Sequence, residues 1–347
     1  MMEEKHMYKF GLIGCGTISA AHGSALTQLA ESGCAKVVSC YDILPEKSKA
    51  FSEKYGAKIE DSYESMLASD IDAVCVCLPS GIHVPYAVQA LRAGKNVVVE
   101  KPLGITPEQL DEIEKVQKET GKRVGVISQL YFSEGFSKTL EAVQGGRLGK
   151  IILGEVSMKY WRTAEYFKAG GWRGTWAMDG GGALMNQGIH GVQLLLHLLG
   201  PVRSVKAYAH TILHDVEVED TAVVAIEFKN GALGNIVAST ATNPGFSRNI
   251  SIHGEKGSIM LSDENIIAWN VPGEENIEQK AADGAPGTGA DHKAFGHSLH
   301  ALQIGEFVKA CESGRDPILS IREGRKPVEL ILAIYESSKT GKTVYFD

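Results

Sequence analysis

The segment Tyr8-Lys-Phe-Gly-Leu-Ile-Gly-Cys-Gly-Thr-Ile-Ser19 leaves the chain few ways to fold. A short apolar strand runs directly into Gly14-x-Gly16, and beyond it Ile18, His22, Ala25, Leu26 and Leu29 recur at helical spacing. The next apolar run, Lys36-Val-Val-Ser-Cys-Tyr41, closes a strand-helix-strand unit and ends at Asp42. In that setting Gly14 permits the tight turn, and Gly16 has no side chain to keep a dinucleotide's pyrophosphate from the amides at the helix N-terminus. Cys15, Thr17 and Ile18 complete the turn, and the third glycine of the usual pattern is replaced by Ser19, still small enough for close packing of helix on strand. Asp42 can accept hydrogen bonds from an adenosine ribose 2′-OH and repels a 2′-phosphate, so NAD is favoured over NADP.

The alternation continues, with a helix from Pro45, a strand over 72–78, a helix over 84–93 and a strand over 96–100. Thr106-Pro-Glu-Gln109 supplies an N-cap, a first-turn proline and a capping-box glutamine for a helix reaching Thr120, and an apolar run over 123–127 follows. This order predicts an α/β fold, a doubly wound parallel Rossmann sheet, over residues 1–128. Ligands on such sheets sit beyond the strand C-termini, where Leu78-Pro79-Ser80, Glu100-Lys101-Pro102 and Ser128-Gln129 fall.

From residue 129 the texture changes. Runs over 151–161, 205–210, 221–228 and 233–240 read as strands, the last two joined by Lys229-Asn-Gly231, and a second hairpin is expected at Gly254-Glu-Lys-Gly257. Helices are expected over 296–311 and 323–337, and a glycine-rich surface loop over 281–291. Residues 129–347 are therefore read as an α+β domain on a mostly antiparallel sheet. At 347 residues the chain has room for two domains of ordinary size.

The formal net charge of −7 speaks against a nucleic-acid partner. No stretch approaches the roughly 18 uninterrupted apolar residues of a membrane span. Six cysteines are too sparse for a disulfide scaffold, and Cys75 and Cys77 alternate within an apolar strand, so a reducing cytoplasm is the expected setting. The densest polar and glycine segment is Asp179-Gly-Gly-Gly-Ala-Leu-Met-Asn-Gln-Gly-Ile-His190. On a regular helix Asn186 and His190 would be neighbours on one face, with Gly188 keeping the adjacent surface open. His190 and His197 are not accompanied by a carboxylate or thiol, and no metal is expected. Trp172 and Arg173 are candidates for the pocket edge, the aromatic face for a sugar ring and the guanidinium for a carboxylate or phosphate.

Gly11-Leu-Ile-Gly-Cys-Gly-Thr-Ile-Ser19, Leu78-Pro-Ser80 with His83, Glu100-Lys-Pro102 and Gly180-Gly-Gly-x-x-x-Asn-x-Gly-x-His190 stand in an order that resembles the glucose-fructose oxidoreductase, inositol dehydrogenase and MocA family. The resemblance spans essentially the whole chain. It implies a C-terminal sheet whose open face mediates homodimers or homotetramers, and NAD(P)-dependent oxidation of a secondary hydroxyl on a sugar, sugar acid, nucleotide sugar or cyclitol. By position Lys101 is the lysine at the nicotinamide and the substrate hydroxyl, His190 the acid/base histidine, and His83, Glu100 and Gln129 join the cofactor contacts. His300 resembles a residue near the family's substrate pocket. Many members carry Asp where this chain has Asn186, so Asn186 is expected to hydrogen-bond a substrate hydroxyl instead of charging the histidine. Two other uses of the same architecture stand beside a dehydrogenase: a redox-neutral glycosidase or lyase that retains its NAD, and a non-catalytic NAD-binding regulator.

Overall fold

The computed structural model describes residues 6–278 and 297–347, and the chain divides into two units. The first comprises Met1–Gln129 and Phe295–Arg325, the second Leu130–Ala294 and Lys326–Asp347. The loop expected over 281–291 lies outside the described residues.

In the first unit, short apolar runs become strands covered on both faces. These are β1 (Tyr8–Ile13), β2 (Ala35–Tyr41), β3 (Lys58–Ile59), β4 (Ala73–Val76), β5 (Asn96–Val99) and β6 (Val124–Val126). They pair in parallel in the order β3-β2-β1-β4-β5-β6, the doubly wound arrangement that the alternation predicts. Cys75 and Cys77 are buried and their thiols are free. The intervening helices are α1 (Ser19–Glu31), α2 (Pro45–Tyr55), α3 (Tyr63–Ala68), α4 (His83–Arg92) and α5 (Pro107–Thr120). At the start of α5, Thr106 caps Gln109 N, but the Gln109 side chain takes Ile105 N and donates to Gly81 O, tying the helix to the loop after β4.

The second unit contributes α6 (Glu134–Gln144), β7 (Ile151–Lys159), α7 (Ala164–Lys168), α8 (Ile189–Leu199), β8 (Val202–His210), β9 (Thr221–Phe228), β10 (Leu233–Ser239), β11 (Asn249–Gly254), β12 (Ser258–Ser262), β13 (Asn265–Asn270) and β14 (Ile277–Glu278). After α9 (His297–Glu312) and α10 (Ile321–Thr340) the chain ends in β15 (Val344–Tyr345). Its nine-stranded sheet runs β14-β13-β12-β11-β7-β10-β9-β8-β15 and is antiparallel except where β10 meets β7. Both predicted hairpins form, β9 to β10 at Gly231 (φ 85°) and β11 to β12. One face packs under α8. Gly154 leaves the space that Leu199 fills, and a Cβ there would stand 2.5 Å from the leucine. The other face stays open along the cross-strand row Tyr208, Val223, Val237, Ser157, Asn249.

Within the first unit α9 returns against the parallel sheet. Phe307 lies where a Gly125 side chain would be, a Cβ there meeting its ring at 2.8 Å, and its ring stands 6.3 Å from that of Phe10. Burying a side chain of this size stabilises by roughly 2–3 kcal/mol. Gln303 then extends the end of β6 like an extra strand residue, accepting from Ser128 N at 3.0 Å and donating to Val126 O at 2.7 Å. Among the described residues no helix is long and apolar enough to cross a membrane.

Candidate active site

The glycine turn of the first unit is built as the residue types require. Gly14 sits at φ 89°, and a Cβ there would stand 2.5 Å from Cys77 O, so only glycine fits. Gly16 faces open space, with nothing within 4 Å of a Cβ position. No side chain caps the α1 N-terminus, so its amides, apart from those of Ser19 and Ala21 that bond Gly16 O and Ile18 O, can meet an anion, and Ser19 Oγ turns back to donate to Gly16 O at 2.6 Å. Asp42 is brought to this turn. Its carboxylate accepts from Cys15 N at 2.7 Å and Leu44 N at 2.9 Å, while Gly14 N donates to Tyr41 O. Thr17 is exposed and Ile18 half-buried beside them.

Leu78, Pro79 and Ser80 leave β4 at the same end of the sheet, and Glu100, Lys101 and Pro102 leave β5 there. The His83 ring spans the two loops, its nitrogens 2.7 Å from Leu78 O and 2.7 Å from Pro102 O. Buried between the two carbonyls, it braces the lysine loop. Glu100 is also buried. His22 Nε2 donates to its Oε1 at 2.8 Å, and Lys101 N to its Oε2 at 3.2 Å. Burial acts to raise the Glu100 carboxyl, yet the His22 hydrogen bond and the charges of His22, His300 and Lys101 bring it down to about 2. His300 is fully buried and packs edge-on against His22, 5.5 Å between ring centres. At the end of β6 the buried Ser128 Oγ and Gln129 Oε1 have no hydrogen-bond partner among the described residues, as polar atoms reserved for a ligand would.

In the second unit the polar-glycine segment is hung on two buried carboxylates. Glu219 accepts from Gly182 N at 2.9 Å, Leu184 N at 2.8 Å and Tyr335 Oη at 2.9 Å. Asp179 accepts from Gly174 N at 2.9 Å and from Asn186 Nδ2. Between Ala183 and Gly188 the chain winds more widely than an α-helix, Gln187 N reaching Gly182 O five residues back. The wide winding is local, and a regular α-helix resumes at Ile189. Asn186 is buried, donates to Asp179 and accepts from Gln187 Nε2 at 2.7 Å. Its amide holds the turn together. Gln187 also donates to Tyr166 Oη and accepts from Arg162 Nε and Nη2 at 3.0 and 2.7 Å. His190 follows at the start of α8, half-buried. The Arg173 guanidinium lies 4.8 Å from the Tyr166 ring centre and 5.0 Å from that of Trp172, a stacked and pre-oriented fork.

Comparison with known proteins decides the family. The model described as "Oxidoreductase family, NAD-binding Rossmann fold" matches residues 8–128, and that of the GFO/IDH/MocA C-terminal domain matches residues 136–260. The chain is a Gfo/Idh/MocA oxidoreductase. Among solved structures, this oxidoreductase is similar to the WlbA dehydrogenase of Bordetella pertussis in complex with NADH and UDP-GlcNAcA, with 32% identity, a TM-score of 0.87 and 99% of each chain covered. It is likewise similar to WlbA of Chromobacterium violaceum with the same two ligands, with 34% identity, a TM-score of 0.87, and 99% of this chain and 97% of that one covered. The scyllo-inositol 2-dehydrogenase (NAD(+)) of Bacillus subtilis is 25% identical over 99% of this chain and 97% of its own. The oxidoreductase binds NAD, and the residues at hand fit it: an open glycine turn, an uncapped helix N-terminus, a braced Asp42 and the buried Ser128 and Gln129 oxygens.

Sequence reasoning passed over His22, Asp179, Glu219 and Tyr335 as participants. His22 alone carried a signal, an imidazole on the otherwise apolar face of α1 just after the glycine turn.

Proposed function

We propose that this oxidoreductase oxidises a secondary ring hydroxyl of a nucleotide-linked sugar acid, with UDP-GlcNAcA as the model substrate and NAD, rather than NADP, as acceptor. The observation that carries the substrate class is the identity of 32% and 34%, over nearly the whole chain, to two dehydrogenases solved with NADH and UDP-GlcNAcA. The stacked Arg173 supports it, since a guanidinium held on aromatic rings suits a carboxylate or diphosphate better than an uncharged cyclitol.

Bound NAD supplies the hydride acceptor. The hydroxyl proton must leave as charge builds on oxygen, and Lys101 and His190 are the groups assigned to that proton. A neutral imidazole accepts it near pH 7, whereas a lysine, near 10.4 when unperturbed, does so only if desolvated or set beside another cation. A charged Lys101 serves instead by stabilising the alkoxide. Asp42, already braced by two backbone amides, is the group proposed to select NAD.

With NAD and UDP-GlcNAcA the protein is expected to produce NADH fluorescence, and with NADP the rate is expected to fall by at least about tenfold, the cost of a charge repulsion of about 1.4 kcal/mol. Faster turnover of free inositols or hexoses than of the nucleotide sugar overturns the substrate class. Equal rates with the two cofactors overturn the role of Asp42.

The open face of the nine-stranded sheet is proposed as the contact between copies of the chain. Tyr208 and Val223 pair across β8 and β9 and are 64% and 53% exposed, apolar area that a partner sheet would cover. Light scattering is expected to report a dimer or tetramer that Val223→Glu dissociates. A wild-type monomer would remove this surface from consideration.

A further inference from the structure

Glu100, placed among the cofactor contacts by resemblance, also sits in a buried cluster beneath Lys101 that the proposed reaction leaves unused. Glu100 is buried, with one oxygen on His22 and the other on the main chain of Lys101 itself. His22 comes from α1, His300 from α9, and the Cys75 and Cys77 thiols from β4 and its end lie beside His22. His83 holds the next carbonyl, that of Pro102. The three donors of His22, Glu100 and His300 lie within 4.8 Å of one another, the makeup of a cation site. The 2.8 Å between His22 Nε2 and Glu100 Oε1 is nevertheless a hydrogen-bond spacing. Ligands of one tetrahedral zinc, at about 2.0–2.2 Å from the ion, stand about 3.3 Å apart. The arrangement is an ion pair.

A buried ion pair is costly to keep unless its geometry serves something. Burial works against the His22 charge, and the hydrogen bond to Glu100 favours it. The Cys77 thiol is pushed up to about 11 by burial, so at neutral pH the charge that answers the imidazolium is Glu100. The Lys101 ammonium is close enough for its charge to act on Glu100, and therefore Glu100 acts on Lys101.

We propose that His22 and Glu100 are positioning residues for Lys101, a fixed carboxylate that anchors the lysine's main chain and whose field, compensated by the imidazolium, sets the pH range over which the lysine keeps its proton. Among the described residues the groups named beside this pair are Lys101, His83, His300, Cys75 and Cys77, none of them a second carboxylate.

The inference rests on Lys101 acting in the reaction, and its test separates the two. In His22→Gln the amide keeps a donor towards Glu100 but removes the compensating charge, so the limb of the kcat-pH profile that belongs to Lys101 moves to higher pH. In Glu100→Gln the carboxylate is gone and the buried His22 turns neutral, so the same limb moves to lower pH. Each shift is expected to be about 0.5–2 pH units, the size of one charge interaction across roughly 6 Å of effective dielectric constant 20–80. Opposite shifts of that limb support the proposal. Lower rates with an unmoved limb, or shifts in one direction, overturn it and leave the pair a structural brace. Should His22→Gln fail to fold, the downward shift in Glu100→Gln alone decides. If Lys101→Ala keeps its rate, the lysine's role fails instead, whatever the two glutamine variants do.

Discussion

Lys101→Ala is expected to lower turnover by at least about 100-fold, a loss of about 2.7 kcal/mol of transition-state stabilisation, while NAD still binds. The selectivity of that loss follows from how the lysine loop is held. Its main chain is fixed through Glu100 Oε2 on Lys101 N and through His83 on Pro102 O, and neither bond uses the lysine side chain. Truncation at Cβ therefore spares these main-chain bonds and removes the ammonium proposed to meet the hydroxyl. Steady-state kinetics with NADH fluorescence reads the first half of the expectation, and calorimetric titration of NAD reads the second. Near-normal rates would take Lys101 out of the mechanism. A parallel loss of NAD affinity would mean that the side chain supports the cofactor rather than the proton.

What the chain discloses before it is folded depends on how local the physics is. Gly14, Gly16 and Asp42 are legible because turn, helix and second strand follow one another directly and each residue's task is met within that unit. The hairpins are legible for the same reason, since Gly231 needs only its own positive φ. His300 is not: it is buried against His22, some 278 positions earlier in the chain, and no periodicity in α9 announces that neighbour. The return of α9 to the parallel sheet is hidden likewise, because it rests on Phe307 finding the vacancy at Gly125. The wide winding around Asn186 is hidden as well. The spacing of Asn186 from His190 suggests an α-helix, but the winding at Asn186 is set by Glu219, more than thirty residues downstream, whose carboxylate takes the amides of Gly182 and Leu184. Asp179, seven residues before Asn186, takes its amide in the same turn.

Glu219→Gln is expected to unsettle the second unit and to change how its stability responds to pH. Both carboxylate oxygens of Glu219 are acceptors, Oε2 from Gly182 N and Oε1 from Leu184 N and Tyr335 Oη. An amide in its place must set its NH2 against one of these donors, which costs about 1–3 kcal/mol for the group left unsatisfied. The acid itself is pushed up to about 7 by burial, against the pull of the two backbone amides and Tyr335. The native state thus keeps a proton that the unfolded chain releases near 4.5. The unfolded state binds fewer protons over this window, so stability from this group is fully present below pH 4.5 and declines as the pH rises towards 7, by at most about 3 kcal/mol. Glutamine does not titrate, and the decline should vanish with it. Denaturant titrations of both proteins at pH 5, 6 and 7 measure the effect, and their difference isolates Glu219 from every other ionisable group. A stability gap that stays constant across the three pH values would show that the carboxyl is ionised throughout, its three donors having outweighed its burial. The gap should instead be widest at pH 5 and narrow towards pH 7, as the native state loses the proton that burial lets it keep.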